Sequence, residues 1–213
     1  MYKRQPYTTL QIPKQGIGEW CHPLHTVDIN DAGLRSSVQN GILNTELGIP
    51  FRTPAEGHNV AFTSLWDNYP DSLEIPLKGK ASRAYLLMAG STNHMQCHID
   101  NGVIRIYYKD GTRDVMFLRN PDNWPPIEHI FFEDGLAFNR HTPALYRLRL
   151  KTGEISNNFG EELGFPGASR ELDGGAAVLL EMPLNPGKKL SHLVLETLSN
   201  DVVIGLMSIT LQR

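Results

Sequence analysis

Residues 103–118 read VIRIYYKDGTRDVMFL, and the alternation within this stretch decides the fold class. Two runs rich in β-branched and aromatic residues flank Asp110-Gly111, a pair favoured at the centre of a type I′ hairpin turn because both central residues need positive φ. With that turn, Lys109 faces Thr112, Ile106 stands opposite Val115 and Ile104 opposite Phe117. The predicted hairpin then turns Ile104, Ile106, Val115 and Phe117 toward a core. Its other face carries Arg105, Tyr107 and Asp114 beside Val103, Met116 and Leu118. Side chains alternate with period two, so the whole assignment depends on register to the single residue. A hairpin this apolar needs a second layer to cover it.

The flanking chain supplies one. Residues 60–66 (VAFTSLW) alternate as a strand, and residues 83–89 (RAYLLMA) form the near-continuous apolar run expected of a strand covered on both faces. Leu73, Ile75 and Leu77 alternate with Glu74, Pro76 and Lys78. Tyr146, Leu148 and Leu150 alternate with Arg147 and Arg149, which predicts a half-exposed strand. Residues 176–182 form a further apolar strand. Residues 189–211 read as two long strands around Ser199-Asn200-Asp201. In the second, Val203, Met207, Ile209 and Leu211 share one side and Val202, Ile204 and Leu206 the other, so that strand is central. Residues 30–33 read as a turn and 37–43 as one weak strand, and Pro50 keeps its own segment off a central position. About ten strands, punctuated by Gly, Pro, Asn and Asp, with no helix beyond two turns, predict an all-β antiparallel β-sandwich of jelly-roll type over residues 24–213.

Twenty-three acids against 20 bases leave a net charge of −3, which gives no electrostatic reason to expect nucleic acid or an anionic membrane as partner. No apolar run approaches the roughly 20 residues of a spanning helix. Met1-Tyr2-Lys3-Arg4-Gln5 resembles the translation of a transposon-type sequencing adapter, an end found on gene fragments assembled from environmental DNA. Residues 1–23 are therefore expected to combine an adapter-like scar with a linker or the tail of a missing upstream region. Cys21 and Cys97 are too few for a disulfide framework, and spacing alone does not show whether they pair.

Residues 49–53 (IPFRT), 73–77 (LEIPL), 84–90 (AYLLMAG), 103–118 and 193–211 occur in an order similar to galactose-binding-like β-sandwich domains. Those domains carry a Tyr-x-Asp-Gly-Thr hairpin, here Tyr108 to Thr112, and close on a strand resembling Ile-x-Leu-Leu-x-Ile-Thr, here Ile204 to Thr210. The blocks IPLKGKA (75–81) and LRNPDNWPPIE (118–128) also resemble the C-terminal part of long bacterial proteins classed as glycoside hydrolases. The resemblance implies a non-catalytic accessory domain that binds glycan weakly or braces a catalytic region upstream. It implies carbohydrate as ligand, the N-terminal catalytic region as partner and, for a secreted parent, a periplasmic or extracellular location. No ligand motif carries over residue by residue.

Two aromatic loop groups are the candidate carbohydrate-binding residues, since sugars stack their apolar faces on aromatic rings while polar side chains bond the hydroxyls. The first is Trp66, Asp67, Asn68 and Tyr69; the second is Arg119, Asn123, Trp124 and Glu128, with Asn120 and His129 beside them. Both tryptophans have an alternative reading: Trp66 alternates with core residues, and Trp124 between prolines is the type of residue that plugs the end of a sandwich. A stand-alone hydrolase is the competing function, and it would need two carboxylates across a glycosidic bond. Glu128, Glu133 and Asp134 or Glu161 and Glu162 are its candidates. For metals, Cys21-His22 with His25 and His94 with Cys97-His98 offer zinc-type donors without paired-cysteine spacing. Asp28, Asn30 and Asp31 offer oxygen donors for a structural calcium.

Overall fold

The structure, a computed structural model, describes residues 7–10, 28–65, 69–93, 95–130, 135, 136, 138–164 and 170–213. Its strands are β1 (Tyr7–Thr8), β2 (Val38–Gln39), β3 (Ile42–Asn44), β4 (Pro50–Arg52), β5 (Val60–Thr63), β6 (Ser72–Pro76), β7 (Arg83–Thr92), β8 (Asp100–Tyr108), β9 (Arg113–Arg119), β10 (Arg147–Arg149), β11 (Ile155–Ser156), β12 (Ala176–Pro183), β13 (Leu190–Thr197) and β14 (Val202–Gln212), and the short helices are α1 (Ala32–Ser36) and α2 (Phe159–Glu162). They form a seven-stranded sheet in the order β1-β5-β14-β7-β12-β10-β11, a four-stranded sheet β6-β13-β8-β9 and a small sheet β2-β3-β4. All the pairings between these strands are antiparallel. The protein is an all-β antiparallel sandwich.

Two cores hold the layers together. Leu86 and Met88 of β7, Val178 and Leu180 of β12, and Ile204 and Leu206 of β14 meet Ile104, Ile106, Leu193 and Leu195 of the four-stranded sheet. On the opposite face, Leu87, Ala89, Ala177, Leu179 and Val203 pack under Phe51, Leu43, Leu34 and Phe62. The expected two-sided burial of 83–89 is thus observed, and β14 lies between β5 and β7, inside the sheet. Pro50 sits in β4, which pairs only with β3, where a missing N–H costs no ladder bond.

The 103–118 hairpin forms, but one residue out of the predicted register. Tyr108 N donates to Thr112 O at 2.9 Å and Gly111 N to Tyr108 O at 3.1 Å, so the loop holds three residues and positive φ falls on Gly111 (+83°) while Asp110 has none. This is a turn closed by a glycine bulge rather than a type I′ pair. Ile104 therefore faces Met116, Ile106 faces Asp114 and Arg105 faces Val115. The slip reverses the second strand: Leu118 is buried, while Val115 and Phe117 are 42% and 43% exposed. The type I′ geometry appears instead at Asn40-Gly41, with φ of 52° and 75° and Gln39 opposite Ile42. The segment read as one weak strand is thus a hairpin, and residues 32–36 wind into α1 where a turn was expected. A second register shift, between Leu206 and Ser208, turns Ile209 and Leu211 to the core occupied by Ile204, correcting the side assigned to them.

Trp124 closes the sandwich. It is fully buried in the inter-sheet core, over a strand position that only glycine fits. A Cβ on Gly90 would lie 2.7 Å from Trp124 Cζ2 and 2.0 Å from Val203 O. Trp124→Ala is expected to cost about 3–5 kcal/mol in urea unfolding, and Gly90→Ala to destabilise in the same assay; a loss under about 1 kcal/mol for Trp124→Ala would show that the indole is not a core element.

The hairpin loop carries its own charge clasp. Asp110 Oδ1 accepts from Thr112 Oγ1 (2.6 Å) and Thr112 N (3.0 Å), and Lys188 Nζ lies 2.9 Å from Asp110 Oδ2. The Thr112 hydroxyl, and then Lys188, hold this carboxyl down to about 2 from its usual 3.8. A depressed carboxyl stabilises the fold above its unfolded pKa, and that contribution is lost as pH falls through its folded value. Side-chain NMR titration should place Asp110 near pH 2, with Thr112→Ala moving it upward; a wild-type midpoint near 3.8 would contradict the clasp.

Candidate functional site

Three loops converge beyond the shared end of β7, β8 and β9: residues 93–99, the turn after β9, and the segment leading to β10. Two buried or half-buried amides shape the first. Asn101 Oδ1 accepts from Thr92 Oγ1 at 3.0 Å, and its Nδ2 donates to Gln96 O and Ile99 O at 3.3 and 3.4 Å. Asn93 Oδ1 accepts from Met95 N at 2.9 Å, and its Nδ2 donates to Asp201 Oδ2 at 3.2 Å. The loop reaches the β9 turn where His98 N donates to Asn120 O at 2.7 Å. His98 itself has φ of +55°, a region a non-glycine residue adopts at some cost.

Asn123 ties the β9 turn together: its Oδ1 accepts from Arg119 N at 2.7 Å and its Nδ2 donates to Phe117 O at 2.9 Å. Arg119 Nε bonds Asp100 Oδ1 at 2.6 Å, and that carboxylate raises the arginine's pKa. The guanidinium then lies 5.7 Å from the centroid of the exposed Phe117 ring. Phe117, Arg119, Asp122, Asn123 and Thr142 line an open hollow of about 240 Å³. Beside it the Asp122 carboxylate faces His141 Nδ1 at 3.5 Å and His98 Nδ1 at 3.8 Å. Their three donor groups all lie within 4.8 Å of one another. The Asp122 backbone is held as well, with Thr142 Oγ1 donating to its carbonyl at 2.6 Å.

The structure separates the residues grouped by sequence. Trp66, Asp67 and Asn68 lie outside the described residues. Tyr69 is buried against Phe62, ring centroids 5.3 Å apart, so it offers no face for a sugar. Trp124 is buried as described above, and Glu128 is buried with Ser91 Oγ donating to it at 3.2 Å; both are corrected from ligand contacts to interior residues. Asn120 is also buried, and the His129 carbonyl accepts from Arg147. Arg119 and Asn123 alone of the second group reach the hollow. Among the acid pairs, Glu133 and Asp134 lie outside the described residues, while Glu161 and Glu162 bond Asn158 Nδ2 and Ser156 Oγ. Of the calcium candidates, Asn30 Oδ1 accepts from Ala32 N at 3.0 Å. Asp31 Oδ2 is taken up by Arg35 Nε at 2.9 Å and Asn59 Nδ2 at 2.7 Å. Cys21, His22, His25 and His94 lie outside the described residues, and Cys97 Sγ accepts from Asn120 Nδ2 at 3.5 Å.

Sequence reasoning missed three residues here. Phe117 was placed in the core by the one-residue register error. Asp122 and His141 carry no spacing signal, because 19 residues separate them.

Arg147, expected to face solvent, is buried instead. Its guanidinium donates to Pro126 O (2.7 Å), Ala176 O (3.0 Å) and Ile127 O (3.3 Å), and also to His129 O. Burial lowers its pKa to about 10, with the Glu128 charge opposing that fall, so it remains cationic at neutral pH. It thereby fixes the segment following Trp124 and forms one wall of a cleft of about 220 Å³ that also includes Phe138, Phe159, Asn157 and Arg170. Arg147→Met is expected to cost about 3–5 kcal/mol in urea unfolding; a loss under about 1 kcal/mol would show that water replaces these bonds. Comparison of the chain with protein-family models, with curated proteins and with solved structures finds no match.

Proposed function

We propose that this sandwich is a non-catalytic accessory domain of a carbohydrate-active protein, binding glycan weakly at the hollow around Phe117. The observation that carries this reading is the pairing of a half-exposed aromatic ring with a polar rim. Phe117 presents an apolar face, and Arg119, Asp122, Asn123 and Thr142 surround it with donors and acceptors. A sugar needs that combination: its C–H face packs on a ring while its hydroxyls are bonded from the side. The hollow is shallow, and much of the bonding capacity of Arg119 and Asn123 is used inside the loop. Weak affinity follows. The ordered likeness of the strand blocks to galactose-binding-like domains supports the same reading, and would make the sandwich a jelly roll.

Glu128, the acid that the hydrolase reading places beside the Trp124 loop, is enclosed rather than aimed at solvent, which favours the accessory role over a hydrolase built on that residue. The test is retention on polysaccharide affinity gels, backed by a glycan array. Wild type is expected to be retarded on at least one glycan, and Phe117→Ala, at an exposed position, to weaken that retention about tenfold. Arg140→Ala, in the other cleft, should leave it unchanged. Retention that survives Phe117→Ala would displace the site, and none on any glycan would overturn the binding role.

A further inference from the structure

We propose that His98, Asp122 and His141 form a binding site for one divalent ion of the zinc class. The spacing argues for an ion between these groups rather than direct bonds among them. His98 Nδ1 and Asp122 Oδ2 are 3.8 Å apart, beyond hydrogen-bond distance. His141 Nδ1 is 3.5 Å from Asp122 Oδ1, at the limit. Ligands about 2.0–2.1 Å from a tetrahedral zinc stand about 3.3–3.4 Å from one another. The two histidine–carboxylate separations exceed that by about 0.1–0.5 Å, and all three donors lie within 4.8 Å of one another, so small side-chain movements of exposed His141 and of Asp122 would bring them onto one ion.

A second observation points to the same ion. Both ring nitrogens of His98 are shut off from solvent and neither has a hydrogen-bond partner. A neutral imidazole always has an N–H to place, so leaving both nitrogens unmet is unfavourable. Coordination of one nitrogen would remove part of that cost. The chain keeps the carboxylate aimed as well. His141 N donates to Asp122 Oδ1 at 2.7 Å, and Thr142 holds the Asp122 carbonyl.

The donor set selects the metal. Two imidazoles and one carboxylate suit zinc, cobalt, nickel or copper, whereas calcium and magnesium take oxygen donors. Three protein ligands leave a fourth position open to water or an added ligand. The ion would clasp three loops that are far apart in sequence, so binding should stabilise the fold. This site does not rest on the glycan reading, and its test uses no glycan.

The experiment is titration of the chelator-stripped 213-residue chain with Co²⁺, followed by visible absorption, and competition with Zn²⁺. One ion per chain with a tetrahedral cobalt spectrum is expected, displaced by Zn²⁺ and not by Ca²⁺. His141→Ala is the primary variant because its side chain is 64% exposed and its removal leaves the core intact. It should weaken zinc binding at least about tenfold, as should Asp122→Asn, while His58→Ala at an exposed position should not. Zinc should also raise the melting temperature of wild type and not that of His141→Ala. Binding that is unaffected by both His141→Ala and Asp122→Asn, or no stoichiometric binding of either ion, overturns the proposal.

Discussion

Three neighbouring strands, β12, β7 and β14, are buried on both faces, and the rest of the molecule answers that constraint. A strand with one wet face needs apolar residues at alternate positions; these need them at nearly every position. Leu86 and Met88 point one way and Leu87 and Ala89 the other. Each face then requires its own cover. The four-stranded sheet covers one, and the small β2-β3-β4 sheet with α1 covers the other, where Ser208 Oγ reaches Arg52 O at 2.9 Å. Between the two main sheets, buried Thr63 and Thr197 share a hydroxyl bond of 2.8 Å.

Strand content was legible in the sequence because it depends on composition and period, and both survive small errors. Register was not. A two-residue turn and a three-residue turn with a closing glycine share the Asp-Gly signature, and they differ by one position, which is enough to exchange Phe117 for Leu118 in the core. The bulge at Met207 acts in the same way on β14. Such irregularities are set by packing partners distant in sequence: no local pattern marks them. Arg147 shows the reverse limit. An alternating arginine reads as solvent-facing, yet four backbone carbonyls from distant segments make a buried place for it.

At the loop end, the residues that meet in space differ from those grouped in sequence. The Trp- and Pro-rich stretch after the hairpin was singled out for its aromatic and polar residues, and its tryptophan takes the alternative role read for it, plugging the core. The groups left at the surface are smaller ones: Arg119, Asp122 and Asn123. His98 stood out within a cluster with Cys97 and His94; its partners in space are Asp122 and His141, brought together by loop closure. Two of these three loops are anchored by side-chain amides, Asn93 and Asn101 in one and Asn123 in the other. The polar surface is therefore positioned by residues that look unremarkable in a linear chain.

The placement of β14 has a consequence for how the chain reaches this state. Ser64 Oγ bonds Val202 O, 138 positions further along the chain, and β14 pairs with β5 on one side and β7 on the other. During ribosomal synthesis both of those earlier strands must wait with these edges open until β14 emerges. Unpaired apolar edges of this length attract other chains. Late closure leaves these edges exposed in the nascent polypeptide, and loss of β14 would leave both of them unpaired.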